Sequence, residues 1–187
     1  MTLAHVVAEK NIRNVAEKMN KNFIPNLIVK SIYDIEVDYL HSKGIKGILL
    51  DIDDTLVPHG EPLLPQSLVD WLAALTEKGF KIIFISNNNK ARVSKFAKKA
   101  GFAFVANALK PLSFGYTKAG KLLNLKSNEL CMVGDQIFTD IYGANRKNMH
   151  TILILPLSDR KGFFINLRRH FEKGVIEKYE RQLTVNK

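Results

Sequence analysis

Apolar residues along this chain fall into short runs, and the runs alternate with longer stretches of helical spacing. The runs Ile45–Leu50, Phe80–Ile85, Phe102–Val105, Leu130–Val133 and Thr151–Leu155 are largely apolar at odd and even positions alike. That is the pattern of strands covered on both faces. Between them, Gln66–Lys78 repeats Leu68, Val69, Leu72 and Leu75 and stops at Gly79, and Lys90–Ala100 stops at Gly101. Pro111–Asn124 opens with a proline near its first turn, and Thr139–Asn148 closes the series. Strand and helix in alternation predict an α/β fold: an open parallel sheet with right-handed crossovers and helices on both faces.

The ends of the chain read differently. Residues 2–23 are mildly amphipathic, with Ile12, Val15, Ala16, Met19 and Phe23 on one side. Residues 162–180 set Phe163, Leu167, Phe171 and Val175 at i, i+4 spacing, with Arg168, Arg169, Lys173 and Lys178 largely on other faces. The expected organisation is a helical extension at 1–29, an α/β domain at 30–160, and a basic amphipathic helix at 161–187 packed on that domain. There is no internal repeat and no low-complexity segment.

Ligands of open α/β sheets sit beyond the carboxyl ends of the strands. Asp51 and Asp53 follow the first predicted strand, Ser86, Asn87 and Asn88 the second, Lys110 the third, and Gly134-Asp135 the fourth. Alone, the three carboxylates of Asp51, Asp53 and Asp54 suit a solvated turn, because burying them requires a pairing charge or a metal. Matched by a cation, a hydroxyl and a further acid at neighbouring strand ends, they suit phosphoryl transfer. Asp51 can face a phosphorus atom and a metal, and Asp53 can give and take a proton. Mg2+ is a hard cation that prefers oxygen ligands, and Asp135 would complete its site. Lys110 can neutralise both Asp51 and the equatorial oxygens of the transition state, and the Ser86 hydroxyl can hold another.

Composition narrows the field. The chain has 187 residues, and 28 Lys+Arg against 18 Asp+Glu give a net charge of +10. Such an excess favours anionic partners without choosing among nucleic acid, acidic lipid and phosphorylated metabolites. No apolar run reaches the roughly 18 residues of a membrane span, and no secretory signal opens the chain. One cysteine, Cys131 in the apolar stretch LCMV, fits a reducing compartment and a buried structural role. A cytoplasmic location is expected.

The motifs Asp51-Ile-Asp53-Asp-Thr55, Ser86, Lys110-Pro111 and Gly134-Asp135…Thr139-Asp140 resemble, in order, the four motifs of the haloacid dehalogenase-like phosphatases. The resemblance covers roughly residues 45–155. It implies that Asp51 becomes an aspartyl-phosphate and that Asp53 is the general acid/base. It also implies that Asp51, the backbone carbonyl of Asp53 and Asp135 bind Mg2+, with Asp140 supporting or joining that site. The gaps from Thr55 to Ser86 and from Ser86 to Lys110 leave no room for a separate cap domain, so the site is expected to be open. KSIYDI, GIKGILLDIDDTLV, ISNNN, LKP, GDQIFTDIYGANR and HTILILP resemble the YqeG-type branch of subclass IIIA. Relatives of that branch remove the terminal phosphate of phosphatidylglycerophosphate. Asp54 stands where the branch often has Asn.

The resemblance implies a phosphorylated lipid head group at an anionic membrane surface as substrate and peripheral contact with the inner face of the membrane; with no groove-reading motif and no aromatic-basic RNA-binding signature, no stable nucleic-acid partner is expected. The segment from Gly162 onward could lie in the interface or pack on the sheet. A phosphatase of a soluble nucleotide, sugar phosphate or nucleic-acid end is the competing reading, and a non-catalytic scaffold a third. Retention of Asp53 counts against the scaffold, since a phosphate binder needs no proton donor. His59 reads as a solvated loop residue, His150 as structural, Trp71 as core, and Arg146-Lys147 as a solvated helix end. Asn87 could hold phosphate or begin the following loop.

Overall fold

A computed structural model of the chain describes residues 21–59 and 64–157. Nearly all of these belong to one compact unit running from Pro25 to Ser158. Its centre is a six-stranded parallel sheet of β1 (Leu27–Val29), β2 (Gly47–Leu50), β3 (Lys81–Ile85), β4 (Ala103–Val105), β5 (Leu130–Gly134) and β6 (His150–Ile154). The spatial order is β1-β6-β5-β2-β3-β4. The chain walks from β2 through β3 to β4 and then crosses to β5 on the other side. The end of β2 is therefore the topological switch point, where open sheets bind ligands.

The helices are α1 (Val37–Ser42), α2 (Gln66–Glu77), α3 (Lys90–Ala100), α4 (Ser113–Leu123) and α5 (Tyr142–Asn145). Strand side chains alternate between two cores. Ile48, Leu50, Ile82, Phe84, Cys131 and Val133 meet Leu40, Leu68, Leu72, Leu75, Val93 and Phe96 from α1, α2 and α3. Leu49, Ile83, Ile85 and Met132 meet Tyr116, Ala119, Leu123 and Ala144 from α4 and α5. Both faces of the sheet are dry, which is why the strands read as unbroken apolar runs.

Two expectations change. Leu27–Val29, placed by its surroundings in the helical extension, is an edge strand in register with Ile152–Ile154 of β6. Three residues are too few to show a period of two, and all three are only half-buried. The helix expected at Thr139–Asn148 is instead a π-helical turn, Ile137–Ile141, followed by the short α5. The Asp140 side chain reaches back to accept from the Gln136 N–H at 3.0 Å, a local alternative to helical pairing. The rest of the expected N-terminal extension, up to residue 20, and the whole C-terminal helix expected at 161–187 lie outside the described residues.

Candidate active site

Four loops at the carboxyl edge build the site. The β2 ladder continues one residue past the strand, where the Asp51 N–H donates to the Val133 carbonyl at 3.0 Å. The loop after β4 is laced to the loop after β3: Ala108 N–H donates to Ser86 O and Asn107 N–H to Asn88 O, both at 3.0 Å. The Asn87 amide clamps the Lys110 backbone, accepting from its N–H at 2.7 Å and donating to its carbonyl at 2.9 Å. This holds the Lys110 side chain inward. Its Nζ donates to Asp51 Oδ1 at 2.7 Å and to Asp140 Oδ1 at 2.6 Å. The Asp140 carboxylate fills the space over Gly134, where a Cβ would come within 2.3 Å of Oδ2. Only glycine fits there. Asp135 follows, and Thr55 Oγ1 donates to its Oδ1 at 3.3 Å.

Asp51, Asp135 and Asp140 are all buried, and ligand oxygens from the three lie within 4.8 Å of one another. One ammonium faces three carboxylates. Burial pushes Asp51 up to about 7, with Lys110 pulling down and Asp140 pushing up. Burial pushes Asp135 to about 8, helped by Asp140, Asp51 and Asp54. Burial alone would lower Lys110, but Asp140 and Asp51 outweigh it and hold the ammonium above the usual lysine range. A compact set of hard oxygen donors short of positive charge fits a divalent cation such as Mg2+.

A haloacid dehalogenase-like hydrolase family model matches residues 61–146. The chain is 34% identical to the probable phosphatase YqeG of Bacillus subtilis, across 88% of this chain and 95% of that protein. It belongs to the haloacid dehalogenase-like phosphatases. It is also 27% identical to phosphatidylglycerophosphate phosphatase 1 of Arabidopsis thaliana over 90% of this chain, while spanning only 51% of that longer relative. A hypothetical protein from Xanthomonas campestris shares the fold, with a TM-score of 0.52 and 11% identity over 84% of this chain and 96% of that one.

Within this phosphatase, Asp53 stands apart from the carboxylate cluster. Its side chain turns to α3, where Arg92 Nη2 pairs with Oδ1 and Asn88 Nδ2 donates to Oδ2 at 3.1 Å. His59 Nδ1 lies 3.4 Å from Oδ1, so this histidine is a neighbour of the site rather than a free loop residue. Burial would raise Asp53, but the bonds from Arg92 and Asn88 hold it below the ordinary carboxylate range. Asp54 makes the sharp turn between the two motif carboxylates and the following residues, with φ 65, and its Oδ1 accepts from His59 N–H at 3.0 Å. Asp tolerates this left-handed conformation better than most residues.

The structure thus brings Asp51, Lys110, Asp135 and Asp140 together, with Ser86 buried beside them. The Asn87 side chain, read as a phosphate ligand or the start of a loop, bonds both backbone polar groups of Lys110. Arg92 was not expected. Its only signal is its place in the first turn of the helix opened by the Asn89 cap, six residues after Ser86.

Proposed function

We propose that the protein is a Mg2+-dependent phosphomonoesterase that works through an aspartyl-phosphate on Asp51. The observation that carries the reading is the buried Asp51–Lys110–Asp140 cluster beside Asp135, set against Asp53 in the opposite electrostatic surroundings. Asp51, Asp135 and the backbone carbonyl of Asp53 would hold the Mg2+, which when bound supplies counter-charge to the phosphoryl oxygens. Both Asp140 carboxylate oxygens already have partners in Lys110 and Gln136. We therefore assign Asp140 to holding Lys110 in place.

In the first half-reaction an Asp51 oxygen attacks phosphorus and the bond to the leaving oxygen breaks. Lys110 and Ser86 hold equatorial oxygens, and Asp53 gives its proton to the leaving alkoxide. In the second, Asp53 takes a proton from water, the water oxygen attacks phosphorus, and phosphate leaves with Asp51 restored. The Arg92 contact favours the ionised Asp53 needed for the second half. It has to loosen for the first.

A phospholipid head group, phosphatidylglycerophosphate before others, is the substrate class the plant relative suggests. No described helix is long and apolar enough to cross a membrane, so lipid would be met from the surface. Phosphate release with Mg2+ from phosphatidylglycerophosphate in mixed micelles, beside soluble phosphomonoesters, tests both parts. Strong preference for the lipid, lost in Asp51→Asn, supports them. Turnover of soluble esters alone keeps the chemistry and removes the lipid assignment. No turnover of any of them by folded, Mg2+-supplied protein counts against both.

A further inference from the structure

Beside the catalytic edge lies an apolar rim that the chemistry leaves unused. Leu109, Leu112 and Phe114 are 58%, 57% and 59% exposed, within six residues of the chain. The Leu112 N–H donates to the Leu109 carbonyl at 2.8 Å, so a tight turn brings the two leucines together. Lys110, between them, points the other way, into the carboxylate cluster. Leu109 has φ 55, a conformation that costs a bulky residue energy and here aims a leucine at solvent. The Asn87 clamp on Lys110 keeps the turn in this state.

The rim continues down α4. Phe114, Thr117, Lys118, Lys121 and Leu122 are all exposed at spacings of three and four, a stripe of apolar and basic side chains. α4 carries Lys118 and Lys121 and no Asp or Glu, and Lys126 follows it. Exposed apolar side chains flanked by lysines, on a helix with no acidic residue, are complementary to an anionic lipid surface, where acyl chains take the first and head groups the second.

We propose that Leu109, Leu112 and Phe114, with Lys118 and Lys121, dock this protein on an anionic bilayer, the apolar rim entering the interface beside the active site. The proposal deepens the lipid reading of the substrate and rests on it for its biological sense, but its test does not depend on turnover. Sedimentation of the full-length protein with phosphatidylcholine vesicles with and without phosphatidylglycerol reads docking directly. The triple variant Leu109→Asn, Leu112→Ser, Phe114→Ser changes only exposed side chains, and Asn suits the left-handed backbone at 109. Partition of the wild type onto anionic vesicles, reduced about tenfold or more in the triple variant, supports docking. So does partition that falls in Lys118→Glu/Lys121→Glu while added salt weakens the wild type. In Phe114→Trp, emission quenched by brominated acyl chains locates the side chain among them.

Equal binding by wild type and triple variant overturns the proposal. So does failure of the wild type to bind, or self-association of the wild type that the triple variant abolishes with no vesicle binding in either. Preference for lipid in micelles without vesicle docking sinks the rim and leaves the substrate reading. Docking with turnover of soluble esters alone does the reverse.

Discussion

Asp51 and Asp53 are two residues apart, yet their surroundings pull them in opposite directions. Asp51 is buried with two other carboxylates around one ammonium, and its carboxyl is pushed up to about 7. Asp53 is also buried, but Arg92 and Asn88 surround it and hold it ionised. The first environment is short of positive charge and suits a metal and a phosphoryl group. The second has cation enough to keep its carboxylate ionised. One strand end thus serves two roles because Asp51 and Asp53, two residues apart, meet different charged partners.

The contrast can be broken most severely at Asp51. Asp51→Asn removes the proposed nucleophile and should lower kcat by about ten-thousandfold, with Mg2+ present and the fold intact by circular dichroism. Residual turnover near the wild-type value would exclude an aspartyl-phosphate. Asp53→Asn should cost about a hundred- to ten-thousandfold, the range of a general acid/base, and should leave substrate binding in place.

Stability separates the two flanks next. Lys110→Met leaves Asp51 and Asp140 buried without their cation and should destabilise the protein by about 3–5 kcal/mol. Arg92→Gln removes a partly exposed partner and should cost at most about 1 kcal/mol. Urea denaturation of both variants reads the difference; comparable losses would mean the flanks are not distinct. Arg92→Gln should show itself instead in the pH–rate profile. Without the guanidinium the Asp53 pKa rises, its proton is retained to higher pH, and the alkaline limb of kcat/KM moves upward.

The smallest effect is on melting. In metal-free protein the folded state retains protons on Asp51 and Asp135 that the unfolded chain releases near its ordinary carboxylate range. Their contribution to stability is thus complete below that range and is lost as pH rises through about 7 and about 8. Mg2+ would displace those protons, so the Mg2+-induced rise in Tm should be larger at about pH 8.5 than at about pH 6, by a few degrees. Equal shifts at the two values would place the cation elsewhere.

Much of this molecule was legible along the chain. The five expected strands were read within about two residues of their ends, because strands covered on both faces must be apolar throughout. The C-terminal end of α3 was marked by Gly101, whose missing side chain suits the left-handed cap there. The assembly of acid, hydroxyl and cation at one edge followed from strand order alone, since every βα loop of a parallel sheet opens at the same end. Family membership then made the chemistry specific.

Tertiary structure decided which charge meets which. Lys110 with Asp51 followed from their neighbouring strand ends, but Lys110 also pairs with Asp140, and Arg92 with Asp53 across 39 residues, contacts that neither spacing nor composition announces. It made Asn87 the clamp of the Lys110 loop, and it left Leu109, Leu112 and Phe114 outside while Lys110 went in. Period and turn chemistry are local and can be read from neighbours. Burial, dielectric and ion pairing depend on residues that only the folded sheet brings within a few ångströms.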